Sequence, residues 1–433
     1  MATFSEIAER IFSGITPLAK GDAYVEPPQG IRFLRSGEIT SEGNVTAESE
    51  VHISESIHDG MMKRSQLEKG DLLIAIVGAT IGSAGIYDRS EPANINQAIA
   101  AVRLGDAGVS REFACWYLHS HLGQRLLDFF KRPVARANIN LEEVGEIPLL
   151  IPNAKKQREL VAAMDAARAE RRAKLAEADA LLAGLDGFLL ATLGLTPPPK
   201  DDRKVFAATL ASVRGRADAD FHSPRFRAIR EGIEAGKYPA RPLTELCSRF
   251  ESGFAAGRQD QAFDYTLGVP HLRPLNLNAQ GEISLENTKF VPKSSVQPRD
   301  YCERGEVLFN NTNSAEMVGK STVFEFEQPC ACSNHMTRLR VREGNRAHYL
   351  AAIFNMLRRL GYLGLLATKF NNQAGINLDT LTPLRVPAPP PAVQETIATE
   401  ARRRREAARR LRAEAETGWQ SAKCWFEAQL LGA

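Results

Sequence analysis

Three short stretches carry residue types that could do chemistry. Cys330-Ala331-Cys332 with His335 offers three soft metal ligands within six residues. A structural zinc site needs four, so no metal is expected there. Gly78-Ala79-Thr80-Ile81-Gly82-Ser83 is glycine-rich, as phosphate loops are, but lacks the Gly-Lys pair that reaches the phosphates. It reads as a turn between strands. Asn310-Asn311-Thr312-Asn313 is not the Asn/Asp-Pro-Pro-Tyr run that holds a target adenine in amino-methyltransferases. No catalytic residue is assigned, and no cofactor is expected on this chain. Arg402-Arg403-Arg404-Arg405, with Arg409, Arg410 and Arg412, is the densest charge. It reads as a solvated helix face partly neutralised by Glu400 and Glu406, or else as a docking surface. Gln157 and Gln394, near two helix starts, read as capping or packing residues.

The elements that position these residues come in two sets. Phe4-Ser5-Glu6-Ile7-Ala8 through Ser13-Gly14 matches Leu243-Thr244-Glu245-Leu246-Cys247 through Ser252-Gly253. Leu34-Arg35 matches Leu272-Arg273, and Glu68-Lys69-Gly70-Asp71-Leu72-Leu73 matches Glu303-Arg304-Gly305-Glu306-Val307-Leu308. Ile139-Asn140-Leu141 matches Ile376-Asn377-Leu378. A repeat unit this long is a whole domain, so the chain is a tandem duplication, not a solenoid. Duplication predicts pseudo-two-fold symmetry, which suits a two-part ligand.

Each repeat has a mixed front and a helical back. In the first front, 71–77, 84–87 and 98–104 read as strands, and 113–127 reads as a helix. In the second, 307–309 and 336–341 are strand-like, and 349–357 forms the matching helix. Both fronts are α+β with a mostly antiparallel or mixed sheet. Each ends in a proline-punctuated exit, 147–152 and 383–391, that launches a long helix. The first helix carries a narrow apolar seam at Leu160, Met164, Ala167, Leu175, Ala178, Leu182, Leu185 and Leu189. The second carries Val393, Ile397, Ala407, Leu411, Ala415, Ala422 and Trp425 or Phe426. Neither stripe is broad enough to stand alone, so the two helices are expected to pair as an antiparallel coiled coil. About 38 residues at about 1.5 Å each make a rod of roughly 57 Å, or about 17 base-pair steps. The expected domains are a first front at 1–152, a spacer helix at 153–194, a linker at 195–204, a second front at 205–391 and a second spacer helix at 392–433. The segment from Arg216 to Phe226 is an addition to the second repeat.

Bulk properties exclude little. With 43% hydrophobic and 25% charged residues the composition is that of a soluble globular protein. A net charge of +3 is too small to imply a polyanionic partner by itself. No apolar run is long enough to span a membrane, and the N-terminus lacks the pattern of a secretory signal. Six scattered cysteines fit a reducing cytoplasm better than a disulfide framework.

The first front resembles a target recognition domain of a type I restriction–modification specificity subunit. The resemblance rests on Leu34-Arg35-Ser36-Gly37-Glu38-Ile39, Gly70-Asp71-Leu72-Leu73-Ile74, Gly78-Ala79-Thr80-Ile81-Gly82, and Ala137-Asn138-Ile139-Asn140-Leu141 running to a proline exit and Gln157. The lead-in Asp218-Ala219-Asp220-Phe221-His222-Ser223-Pro224 and the second exit with Gln394 look like the same family's second half. The resemblance covers nearly the whole chain, including its domain–helix–domain–helix order. It implies that each front reads one half of a bipartite sequence in double-stranded DNA. The helical rod would set the gap and dock two methylation subunits. Those partners would carry S-adenosylmethionine and the adenine chemistry. Motor–nuclease subunits using ATP and magnesium would join them for cleavage. On this reading the chain is a non-catalytic, cytoplasmic specificity subunit in defence against phage. The alternatives are a recognition subunit of another DNA-methylase-based defence system, a coiled-coil scaffold that binds protein, and an enzyme with an unrecognised site.

The duplication sorts candidate contacts. Two halves that read different bases cannot encode the difference in shared residues. Arg35 and Arg273, Asp71 and Glu306, Asn96 and Asn334, and Asn140 and Asn377 are shared, so they are expected to be scaffold or sequence-blind backbone contacts. Readers belong where the halves diverge: arginine and lysine suit guanine, asparagine and glutamine suit adenine. The candidates are Lys20, Arg32, Arg132 and Arg136 in the first half. In the second they are Arg258, Gln259, Asn310, Asn311, Asn313, Lys320 and Lys369.

Overall fold

A computed structural model describes the chain except residues 19–21, 41, 47–50, 79, 132–137, 198–202, 204, 214–215, 258–259, 262–265, 267, 279–280 and 433. It divides into two compact units, 1–175 with 412–433, and 176–411.

The first unit is built on a four-stranded antiparallel sheet. Its order in space is Ala8–Ser13, Ile99–Leu104, Leu72–Ala75, Ala84–Ile86. The two inner strands are apolar on both faces, which is why the sequence there runs without alternation. A second sheet orders Tyr24–Val25, His52–Ile53, Ile31–Leu34 and Ala93–Ile95, the last pair running parallel. The second unit repeats this plan. Cys247–Ser252, Met336–Val341, Val307–Asn310 and Ser321–Val323 form its antiparallel sheet in the same order. A smaller sheet again contains one parallel pair, Gly268–Leu272 with Ala331–Cys332.

The duplication reaches fine detail. The first strand of each main sheet carries a bulge, between Ala8 and Arg10 and between Cys247 and Arg249. Each front is closed by an antiparallel pair, Ala2 opposite Leu149 and Ala240 opposite Pro387. Gly14 and Gly253 each lie against a neighbouring carbonyl. A Cβ would sit 1.5 Å from the Ile95 oxygen at Gly14 and 1.9 Å from the Cys332 oxygen at Gly253. Only glycine fits at either place.

The apolar run from Phe113 to Leu127 makes two helices, Arg111–His119 and His121–Phe130, where one was expected. Ser120 breaks it. Its backbone is extended, and its hydroxyl accepts the Gly123 N–H at 3.0 Å to cap the second helix. In the second unit Ala347–Arg359 is followed by Tyr362–Leu366, with Gly361 left-handed between them.

The two long helices span Ala154–Leu193 and Pro391–Leu431. In the first unit Leu160, Met164, Trp419 and Phe426 join the core of Phe113, Trp116 and Leu118. Phe113 stacks on Phe426 with centroids 6.0 Å apart, and Trp116 meets Trp419 edge-on at 5.6 Å. In the second unit Leu185, Leu189, Leu193, Ile397 and Ala401 join Phe309, Ile353 and Leu357. The helices run antiparallel within each unit. Arg171 and Lys174 meet Glu416 and Glu414 at 3.6 Å in the first, and Arg404 donates to the Leu181 carbonyl in the second. The expected α+β class, with duplicated fronts and paired long helices, therefore stands. The seam of the second helix differs in detail: Ala408, Ala415, Trp419 and Phe426 are buried, while Trp425 is exposed. The lead-in to the second unit forms a helix, Pro224–Glu234, whose Phe226 stacks on Tyr362 at 4.8 Å. Among the described residues, no helix is long and apolar enough to cross a membrane.

Candidate functional site

Several residues shared by both halves bond within their own unit. Asn140 and Asn377 cap short helices: their side-chain oxygens accept the Glu143 and Thr380 N–H groups at 2.7 and 2.9 Å. Arg35 and Arg273 each open a 3-10 turn, their backbone N–H groups donating to Glu38 at 2.8 Å and to Asn276 at 2.9 Å. The Asn96 side chain accepts the Ala98 N–H at 3.1 Å, and the Asn334 carbonyl accepts from the Asn311 amide at 3.1 Å.

Asp71 and Glu306 are buried carboxylates with matching roles. Each accepts a backbone N–H three residues upstream, from Glu68 at 2.8 Å and Glu303 at 2.9 Å. Arg103 grips Asp71 with two bonds of 2.9 and 2.8 Å. Arg249 donates to Glu306 at 2.7 Å, with Arg338 at 3.7 Å. Burial pushes the Glu306 carboxyl above the usual range, against the pull of Arg338 and Arg249.

Gln157 and Gln394 use their carboxamides alike. Gln157 accepts the Ser110 N–H at 2.9 Å and donates to the Gly108 and Pro152 carbonyls at 2.8 and 2.9 Å. Gln394 accepts the Arg346 N–H at 2.9 Å and donates to Asn345 and to the Pro389 carbonyl, both at 3.0 Å. Each ties the start of a long helix to the loop preceding a helix of its front.

Of the expected base readers, Lys20, Arg132, Arg136, Arg258 and Gln259 lie outside the described residues. Four others are corrected by burial. Arg32 is 8% exposed and donates to the Thr46 carbonyl at 2.5 Å, beside Glu38. Asn310 is fully buried and donates to the Met317 carbonyl at 3.1 Å. Asn311 donates to the Asn334 carbonyl and to Thr337 at 2.9 Å. The Lys320 ammonium donates to the Pro274 and Leu277 carbonyls, and burial lowers its pKa. Arg32, Asn310 and Lys320 are committed to interior carbonyls, whereas Asn311 is buried at the wall of a cleft. Asn313 is half-buried, and its oxygen accepts the Ser314 N–H. Lys369 is exposed and pairs with Asp220.

Lys369 belongs to a feature that stands apart from the repeated frame. Thr312–Asn313, Gln373–Gly375 and Thr368–Phe370 form a small antiparallel sheet in that order. Its outer hairpin turns at Asn371 and Asn372. Every residue from Thr368 to Gln373 is exposed. In the first unit the matching contact is the bridge Val77–Asn138, and residues 132–137 lie outside the described part. Alignment through Asn140 and Asn377, 237 positions apart, sets Arg132 opposite Lys369 and Arg136 opposite Gln373. The divergence rule pointed at this segment but selected only Lys369 from it. Gln373, Asn371 and Asn372 were missed.

Two clefts flank the hairpin. One, of 510 Å³, is mixed in character and is lined by Asn311, Asn334, Asn377, Phe370, Ile376 and Leu378. The other, of 670 Å³, is cationic, with Arg203, Arg225, Arg358 and Lys369 against Asp220 and Glu316. Burial, and then the neighbouring Arg359, depress the pKa of Arg358, while Asp186 opposes them. The arginine run of the second long helix is more nearly neutral. Arg403 and Arg404 both donate to Glu400 at 2.7 Å, holding its carboxyl down at about 2. Arg409 meets Glu282 at 3.0 Å. Cys330 and Cys332 sit in an apolar cluster with Leu272, Leu308 and Phe324, and burial pushes the Cys330 thiol up to about 11. Among the described residues no group of three His, Cys, Asp or Glu is arranged to hold a metal ion.

No family model matches the chain. Over 132 residues, 30% of its length, it is 32% identical to the type I restriction enzyme EcoBI specificity subunit of Escherichia coli. The match spans 27% of that protein. Among solved structures, a chain from work on complex assembly and conformational transition of the type I R-M system aligns with 99% of this chain and 95% of its own, at TM-score 0.53 and 15% identity. The S subunit of the type I restriction–modification system of M. genitalium aligns with 99% of this chain and 94% of its own, at TM-score 0.48 and 11% identity. The chain is thus similar to a type I specificity subunit in sequence over part of its length, and to a type I restriction–modification protein in fold over nearly all of it.

Proposed function

We propose that this chain is the sequence-recognising, non-catalytic subunit of a type I restriction–modification complex. Each unit reads one half of a gapped site in double-stranded DNA. The paired long helices set the gap and dock two methylation subunits, which supply S-adenosylmethionine and the adenine chemistry. Motor–nuclease subunits supply ATP- and magnesium-dependent cleavage.

The observation that carries this reading is the contrast between frame and surface. Bulges, caps, buried acid–arginine pairs and carboxamide ties recur in both units, down to the backbone groups they bond. The exposed hairpin at 368–375 and the segment opposite it share almost no side chains. A duplicated scaffold with segments of divergent sequence is what reading two different short sequences requires, since positioning contacts can be shared and base contacts cannot.

The test is to assemble the chain with its methylation subunits, supply S-adenosylmethionine and random-sequence duplex DNA, and map the methylated adenines. A two-part motif with a fixed gap is expected. Methylation without sequence preference, or failure to form a complex with methylation subunits, overturns the reading.

A further inference from the structure

The hairpin of the second unit is built to present carboxamides. Its pairs are Thr368 with Gly375, Lys369 with Ala374 and Phe370 with Gln373, leaving Asn371-Asn372 as a two-residue loop. Both loop residues have positive φ, 43° and 62°, as a type I′ turn demands. Glycine would meet that demand with less strain. Asparagine tolerates it and adds two side chains that the turn does not need. Neither these two side chains nor that of Gln373 hydrogen-bonds to another described residue. The fold therefore gives no account of three exposed carboxamides in a row.

Their surroundings do. Cross-strand partners share a face, so Thr368, Phe370, Gln373 and Gly375 line one side of the ribbon and Lys369 the other. The first side borders the 510 Å³ cleft. Phe370 lies over Gly375, where a Cβ would come within 2.9 Å of its ring. The second side opens on the cationic cleft through Lys369. A two-stranded ribbon fits the major groove of B-form DNA, and a carboxamide can bond the N6 and N7 edge of adenine with both its groups. Cations beside the ribbon suit the phosphates that border the groove.

We propose that the ribbon Thr368–Gly375 enters the major groove and reads adenine in one half-site through Asn371, Asn372 and Gln373, while Lys369, Arg225 and Arg358 hold the adjoining phosphates. This rests on the reading of the chain as a DNA-recognition subunit and assigns the base class that one unit selects. Arg136 stands opposite Gln373 in the first half, so the same position there carries guanine-matching chemistry.

The experiment uses the complete complex and the same methylation mapping, with three variants. Gln373→Ala removes one carboxamide. The double variant Asn371→Gly, Asn372→Gly removes two while keeping the left-handed turn. Lys369→Ala removes one phosphate contact. In one half-site the first two variants should relax selectivity at specific A·T pairs by about tenfold or more, as the loss of a bidentate base contact does. The other half-site and the melting temperature should not change. Lys369→Ala should weaken binding to all sequences alike and lower the slope of log affinity against log salt by about one. An unaltered motif in both carboxamide variants overturns the ribbon assignment while leaving the broader reading intact. Relaxation confined to G·C pairs also overturns it. A wild-type complex that methylates without sequence preference overturns both.

Discussion

His119 shows how much one residue can commit the fold. It is 4% exposed at the end of its helix, with Nε2 2.8 Å from the Ala84 carbonyl. Burial lowers its pKa to about 4, and Arg168 and Lys423 push the same way. The neutral ring therefore donates to Ala84, and the unfolded chain binds a proton that the folded one refuses. This contribution is complete above about pH 6.5 and is lost as pH falls from there toward 4. Urea unfolding at pH 7 and pH 4.5 should show wild type losing about 2 to 3 kcal/mol more than His119→Gln; equal losses would refute the assignment. The ambiguity of polar groups explains why the burial of four expected readers was not legible in the sequence. Asn310, Asn311, Arg32 and Lys320 carry base-matching chemistry, but a carboxamide, guanidinium or ammonium that suits a base edge equally suits a carbonyl in the interior. Residue type alone does not separate the two, because burial is decided by distant segments: Pro274 and Leu277 for Lys320, Asn334 and Thr337 for Asn311.

At the scale of elements, what was legible followed from apolar patterning. The long helices were evident because burial imposes a period on them, and the strand at Met336–Val341 because it is a short run bounded by turns. The break at Ser120 was hidden because a serine in an apolar run fits a helix interior as well as a cap. The ribbon was hidden because its strands are two or three residues long and exposed, so no period forms. The matched glycines Gly14 and Gly253 mark close approaches, while the matched pair Gly70 and Gly305 is left-handed. Gly14→Ala and Gly253→Ala should each destabilise the chain by about 3 kcal/mol or more, since each new methyl meets backbone rather than a movable side chain. Gly187→Ala, with nothing within 4 Å of the added Cβ, is the control and should be neutral or mildly stabilising in the same denaturation series. Equal stability of the three variants would remove the close approach as the reason for the matched glycines.

For the whole molecule, the duplication makes the two fronts interchangeable parts. The closing strand pairs bound segments of equal length: 2 to 149 is 148 residues, and 240 to 387 is 148 residues. Gln157 and Gln394 each accept a backbone N–H of the front, from Ser110 and Arg346, so a graft between those boundaries presents an equivalent donor to the carboxamide. Replacing 2–149 with a second copy of 240–387 should therefore give a chain that still pairs its long helices. If the fronts read DNA as proposed and the duplication relates them by a two-fold axis, two copies of one reader would face the two strands in the same way, as symmetric dimers do on palindromic operators. The grafted chain, assembled with methylation subunits, should methylate a gapped palindrome. The half-site that responds to Gln373→Ala should appear in it twice, as an inverted repeat across the native gap. A direct repeat would mean that the fronts are related by translation and would overturn the two-fold reading. Retention of the native asymmetric motif would mean that the grafted segments do not carry specificity at all.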